Sequence, residues 1–230
     1  MCGRYSLTTP AEALATLFGA PAPADLAPRY NIAPTQQVPI VRLDADGARR
    51  FAMPRWGLIP SWAKDRDIGA RLINARAETV NEKPSFRAAF RKRRCLMPAD
   101  GFYEWQARGT LRQPFHIARA DGQPFAFAGL WESWSDPDGA TIESCALITT
   151  AANDRLRPIH DRMPVILDQT DYDLWLDVGF GTLEAVQALL GPTAMTLDAR
   201  PVSRHVNNPR HDDPRCLETA AADQGVSPRP

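Results

Sequence analysis

No apolar run in this chain approaches the ~20 residues that a membrane-spanning helix needs. The opening MCGRYSLTTP has no apolar core of the kind a secretory signal carries. The chain is therefore expected to be cytoplasmic, and nucleoid-associated if bacterial. Cysteine is scarce, with four residues at 2, 95, 145 and 216. No two form C-x-x-C and their spacing does not resemble a zinc site, so no metal is expected and the thiols are read as free. Cys95 and Cys145 fall in apolar, strand-like runs and are expected in the core. Neither a Gly-rich phosphate loop nor H-E-x-x-H occurs, nor any arrangement like Ser-His-Asp. No cofactor is implied. Lysine is nearly missing: 24 of the 27 basic residues are arginine. That bias suits phosphate recognition, and genomic composition accounts for it equally well.

What is present is a soluble globular composition, 44% hydrophobic and 23% charged over 230 residues. Net charge is zero but polarised. Residues 1–119 hold 19 Lys+Arg against 10 Asp+Glu, and residues 120–230 hold 8 against 17. Either one face meets a polyanion or the two halves interleave and cancel.

Residues 3–8 read as a strand, and Thr9-Pro10 as the N-cap and first position of a helix to about Phe18. Gln37–Leu43 and Arg49–Met53 flank D-A-D-G as a hairpin. ARLINARAET reads as a strand entering a helix, and residues 84–94 as a basic helix. Strand-like runs follow near 95–97, 102–105, 115–118, 125–131, 142–149 and 164–167, with helices near 153–157, 171–178 and 182–190. With 21 prolines, this pattern predicts an α+β fold: a single compact domain with a curved, barrel-like, mainly antiparallel sheet and peripheral helices. The domain is expected to span residues 1–217, with a disordered tail at 218–230.

Cys2 is the most informative residue. Cysteine is small enough for removal of Met1, which would leave a terminus with an α-amine and a thiol on adjacent carbons. An α-amine has a pKa of about 7.7 against about 10.4 for lysine, so at neutral pH it is roughly 500 times more often nucleophilic. Such a 1,2-aminothiol condenses with an aldehyde through nitrogen and closes a thiazolidine through sulfur. Three polar residues stand in contexts that call for a reason. Asn74 in LINARAET either caps a following helix or binds. Glu104 in GFYEW either faces solvent by strand alternation or exchanges protons. His160 in RPIHDRMP is either a structural histidine or a proton donor.

The segments MCGRYS, RYNIAPTQ, RWGLIPSW, INARAET, ADGFYEW, LITTAAN, IHDRMPVIL and PVSRHVNN, from Cys2 to about Asn208, together resemble the SOS-response-associated peptidase (SRAP) family. The resemblance implies an abasic-site sensor acting on single-stranded DNA. Its mature N-terminal cysteine would form a thiazolidine crosslink with the ring-opened sugar, shielding the lesion. It implies autoproteolytic loss of Met1, and lyase-like strand cleavage as in some members. Carried over by motif, Cys2 is the nucleophile, Asn74 orients the adduct, Glu104 assists Schiff-base proton transfer and reversal, and His160 promotes opening of the sugar ring. Arg76 and Arg162 would grip phosphates.

Single-stranded DNA calls for cations along the backbone and aromatic faces for the bases. Arg4, Lys83, Arg87 and the cluster Arg91–Arg94 are further candidate cations, with Trp56 and Trp62 as candidate stacking residues. The expected protein is a monomer whose partner is abasic single-stranded DNA; no protein partner is implied. Two other readings use the same chain. One is an N-terminal-nucleophile amidohydrolase, which has no need of a basic groove. The other is a non-catalytic DNA-binding module, which has no need of Cys2.

Overall fold

The computed structural model describes residues 2–136, 139–179 and 182–220. Met1 and most of the expected tail, 221–230, lie outside the described residues. Two sheets make the frame. One runs Leu197–Pro201, Leu111–Arg119, Gly101–Arg108, Tyr5–Leu7, Arg29–Ile32. The other runs Arg162–Pro164, Thr141–Ala151, Phe125–Ser135, Arg94–Ala99, Ile40–Leu43, Arg49–Ala52. Pairing is antiparallel except where the short strands Arg55–Trp56 and Asn74–Arg76 lie parallel to Thr141–Ala151. The result is a single α+β domain with a curled half-barrel sheet and few helices, as expected from the sequence.

Strands Arg94–Ala99 and Gly101–Arg108 are nearly continuous and carry the chain from one sheet to the other at Asp100. The Asp100 carboxylate accepts from the backbone and hydroxyls of both Thr8 and Thr9. Thr9 is therefore committed to this corner, and Pro10 rather than Thr9 takes the N-cap position of helix Ala11–Phe18. Gly101 is required at the bend, because a Cβ there would lie 2.4 Å from His116 Nε2. The core between the sheets is aromatic. Tyr5 stands edge-on to Trp56 and Phe127, at 5.4 and 5.8 Å between ring centres.

Several local expectations are corrected. Asn74–Arg76 ends in turns, not in a helix, so Asn74 has no helix to cap. Residues 153–157 form hydrogen-bonded turns. The basic helix is shorter, Arg87–Lys92. Arg94 beyond it is buried and donates to the carbonyls of Phe90, Trp175 and Asp177, while Arg93 pairs with Glu132 at 2.6 Å. Neither is placed to meet a phosphate, whereas Arg91 and Lys92 are exposed. Glu218–Ala220, expected as the start of the tail, pair with residues 201–203: Ser203 N–H donates to the Glu218 carbonyl, and Ala220 N–H to that of Pro201.

Trp56 is the clearest correction. It is wholly buried and its indole N–H donates to the Ile73 carbonyl at 2.9 Å, so its face cannot stack on a base. Trp56→Ala is expected to cost about 3–5 kcal/mol of stability, read as a lowered midpoint in chemical denaturation. A loss below ~1 kcal/mol would contradict the core role.

Candidate active site and nucleic-acid interface

Cys2 is brought to a defined place by the strand that follows it. Tyr5–Leu7 lies between Arg29–Ile32 and Gly101–Arg108, with Tyr5 opposite Phe102. Tyr103 N–H donates to the Arg4 carbonyl at 3.0 Å, which carries the antiparallel alignment back toward Cys2 and brings Glu104 alongside it. The second sheet supplies Asn74. Its strand lies parallel to Thr141–Ala151, with Asn74 opposite Leu147, and its side-chain amide donates to the Cys2 carbonyl at 2.8 Å. Asn74 thus fixes the residue without titrating. Its Oδ1 is buried with no hydrogen-bond partner among the described residues.

Cys2 is wholly buried, and its thiol points to the Arg4 carbonyl at 3.8 Å. Burial pushes the thiol far above its ordinary range, and the nearby Glu104 carboxylate adds to the shift. Glu104 is 3% exposed, which excludes the solvent-facing reading. Burial pushes its carboxyl up to about 7, with Asp161 contributing in the same direction. At neutral pH it therefore stands near half-protonation and can give or take a proton. His160 lies on the approach to strand Arg162–Pro164, with Nε2 3.9 Å from Glu104 Oε2. Burial lowers its pKa. The Arg162 amide nitrogen and an Asp161 carboxylate oxygen both lie 2.9 Å from His160 Nδ1, and these contacts leave Nε2 as the nitrogen facing Glu104.

The four residues singled out for chemistry thus converge from four segments of the fold. Glu104 and His160 share a cavity of about 420 Å³ with Arg4, Trp105, Arg112 and Asn207. Arg4 is held by Asn31 Oδ1 and the Val206 carbonyl, both at 2.9 Å, with its guanidinium 6.0 Å from the Trp105 ring centre. Trp105 donates to Asn207 Oδ1 at 2.8 Å. Arg112, Trp105 and Asn207 were not singled out as site residues. Arg112 lies on the neighbouring strand, one hairpin away from Glu104, and only the pairing of Gly101–Arg108 with Leu111–Arg119 reveals it.

The remaining arginines differ. Arg76 is exposed beside the site. Arg162 makes a bidentate ion pair with Glu78 and donates to the Thr149 carbonyl at 2.7 Å. A phosphate would have to displace Glu78 to reach it. Among the described residues the large aromatic left exposed is Trp62, at 57%, lining a cavity of about 620 Å³ with Lys64, Ile68 and Arg71. No described helix is long and apolar enough to cross a membrane.

Residues 1–209 match the model of the family described as SOS response associated peptidase (SRAP). Among curated proteins, the chain is 40% identical to the abasic site processing protein YoqW of Bacillus subtilis, over 95% of this chain and all of that one. It is 33% identical to the abasic site processing protein HMCES of Xenopus tropicalis, over 87% of this chain and 69% of that one. Among solved structures, a protein from Bacteroides thetaiotaomicron superposes with a TM-score of 0.85 at 28% identity, over 96% of this chain and all of that one.

Proposed function

The chain belongs to the SRAP family, and from that premise we propose that it processes abasic sites in DNA, by covalent capture of the lesion in single-stranded DNA at a processed N-terminal Cys2. The observation that carries this reading is the setting of Cys2. It is a buried aminothiol precursor whose carbonyl is held by Asn74, beside a carboxyl pushed up to about 7. The relatives' shared designation as abasic site processing proteins supports the substrate class.

The order of steps follows from the protonation states. The thiol, pushed up by burial, enters as S–H and is a poor first nucleophile. The α-amine freed by loss of Met1 therefore attacks first. His160 Nε2 gives a proton to the sugar ring oxygen as the ring opens to the aldehyde, and the proton leaving the C1′ hydroxyl passes through the Glu104 carboxylate back to His160. The amine adds to the aldehyde carbon; Glu104 gives a proton to the departing hydroxyl, which leaves as water, and takes one back from nitrogen, giving a neutral imine. The thiol sulfur then bonds to the imine carbon while its proton passes to the imine nitrogen. The thiazolidine closes with no net gain or loss of protons. In reverse, the ring nitrogen returns its proton to sulfur as the C–S bond breaks, and water, deprotonated by Glu104, adds to the imine carbon and releases the aldehyde and the α-amine. Elimination from the imine would give the lyase-like outcome.

Arg4, Arg76 and Arg112 are the backbone contacts this reading favours, with Arg162 joining if Glu78 yields. Of the two candidate stacking residues, the exposed Trp62 takes the role and the buried Trp56 does not. A test is to incubate the protein with single-stranded DNA bearing one abasic site and resolve the products on a denaturing gel. The expected product is a shifted band that is missing with intact DNA and with DNA whose abasic aldehyde has been reduced by borohydride. A band of equal yield with the reduced lesion would sink the proposal.

A further inference from the structure

The segment after the last strand carries a second cluster of reactive side chains, on the wall of the cavity and not among its reacting groups. His205 Nε2, an Asp213 carboxylate oxygen and the Cys216 thiol all lie within 4.8 Å of one another. His205 Nε2 is 3.0 Å from Asp213 Oδ2. Cys216 is wholly buried, with its thiol 3.5 Å from the His211 carbonyl. Nitrogen, oxygen and sulfur donors together are the mixed set that zinc-class ions prefer over magnesium or calcium.

The backbone that presents these donors is fixed before any ion arrives. The buried Asn31 amide donates to three carbonyls of the segment, those of Val206, Asn208 and His211, at 3.1, 3.1 and 2.7 Å. The Asp212 carboxylate accepts from the backbone of Tyr30 and Asn31 and from Arg29. Asp213 then opens a 3-10 turn, Pro214–Leu217, with Oδ1 accepting from Arg215 N–H at 3.0 Å, and that turn brings Cys216 back over the carboxylate. Asp213 Oδ1 serves the turn and Arg215 Nε, whereas Oδ2 faces His205 and also accepts from Arg215 Nη2 at 3.1 Å.

We propose that His205, Asp213 and Cys216 form a binding site for a divalent zinc-class ion. The ion takes the place of the His205–Asp213 hydrogen bond and bonds to Nε2, Oδ2 and Sγ. Tetrahedral zinc holds its ligand atoms about 3.3–3.8 Å apart, so His205 Nε2 and Asp213 Oδ2, now 3.0 Å apart, open slightly while the Cys216 thiol, within 4.8 Å of both, closes in by up to about an ångström. Arg215 gives up its contact with Oδ2 and keeps the one with Oδ1. The Cys216 proton goes to solvent, and affinity therefore rises about tenfold per pH unit while the thiol is protonated. His205 and Asn207 lie in one 3-10 turn, Arg204–Asn207, and Asn207 holds Trp105 in the cavity wall. A bound ion ties that wall down, which makes this a structural site beside the DNA-facing cavity.

Cobalt(II) reports directly on such a site. Titration of the metal-free protein is expected to give equimolar binding with a thiolate-to-cobalt charge-transfer absorption in the near ultraviolet, displaced by zinc. Cys216→Ser is expected to lose that absorption and His205→Ala to weaken binding at least tenfold, while Cys2→Ala leaves both unchanged. Zinc is also expected to raise the unfolding midpoint of the unsubstituted protein. A titration of that protein without the charge-transfer band overturns the proposal with no variant needed. So does a band that survives Cys216→Ser or disappears in Cys2→Ala, the latter placing the ion at the crosslinking thiol.

Discussion

Cys2→Ala is expected to remove the stable crosslink completely, not to reduce it. Alanine keeps the α-amine and is small enough for Met1 to be cleaved, so the variant can still form an imine with the abasic aldehyde. It cannot close the ring. The prediction therefore has two halves. On a denaturing gel without reductant, the shifted band is absent. With cyanoborohydride present during incubation, the imine is trapped and the band returns. A protein that retains Met1 has that amine acylated and gives no band under either condition. Cys2 is buried, with Asn74 on its carbonyl, so the side chain lost is small and the fold is expected to persist, as circular dichroism can check. A reductant-independent band from Cys2→Ala would refute covalent capture by this residue. Survival of the crosslink with Met1 in place would refute the amine-first order.

Glu104→Gln is expected to slow crosslink formation by about 10²–10⁴-fold, the range for loss of a positioned general acid–base group. It is also expected to flatten the pH dependence. Glu104 is pushed up to about 7, so the unsubstituted rate should change most across neutrality, and the glutamine variant should lose that inflection. Stability moves the other way. A carboxyl with a raised folded pKa holds its proton more tightly in the folded state than in the unfolded one. The stability this contributes is fully present below the ordinary value of 4.5 and is lost as pH rises through about 7. Glutamine, neutral throughout, removes that loss, so the variant is expected to be at least as stable as the parent at pH 8. Denaturation curves at pH 5 and pH 8, beside single-turnover rates, separate the two effects. A variant that crosslinks at the parent rate with the same pH profile would exclude Glu104 from the chemistry.

The readable parts of this fold were those with local physical causes. D-A-D-G between two strand-like segments gave its hairpin, with Ile40–Leu43 paired to Arg49–Ala52. The errors came where a local signal was outvoted by a distant partner. Thr9 followed by proline looks like a helix cap, but Asp100, far along the chain, takes its hydroxyl. Arg94 looked like part of a basic helix face, but the carbonyls of Trp175 and Asp177 draw it inside. Trp56 and Trp62 sit six positions apart in one segment, and nothing local tells which is core. Pairing of Arg55–Trp56 with Ser144–Cys145 buries the first, and the turn after Pro60 leaves the second outside.

The sequence by itself determined which reactive groups the chain carries. A cysteine at position two, an amide, a carboxyl and an imidazole are residue types, and their reactivity toward an aldehyde is written in their bonds. Motifs in a fixed order also determined the family. The tertiary structure decided protonation and access, because both depend on what surrounds a group once strands distant in the chain are brought side by side. Burial raised the Glu104 carboxyl to about 7, contacts at Nδ1 turned His160 Nε2 toward Glu104, and Glu78 occupied Arg162. The sequence spacing of His205, Asp213 and Cys216 resembles no metal motif, and they meet because Asn31 and Asp212 fold their segment back on itself.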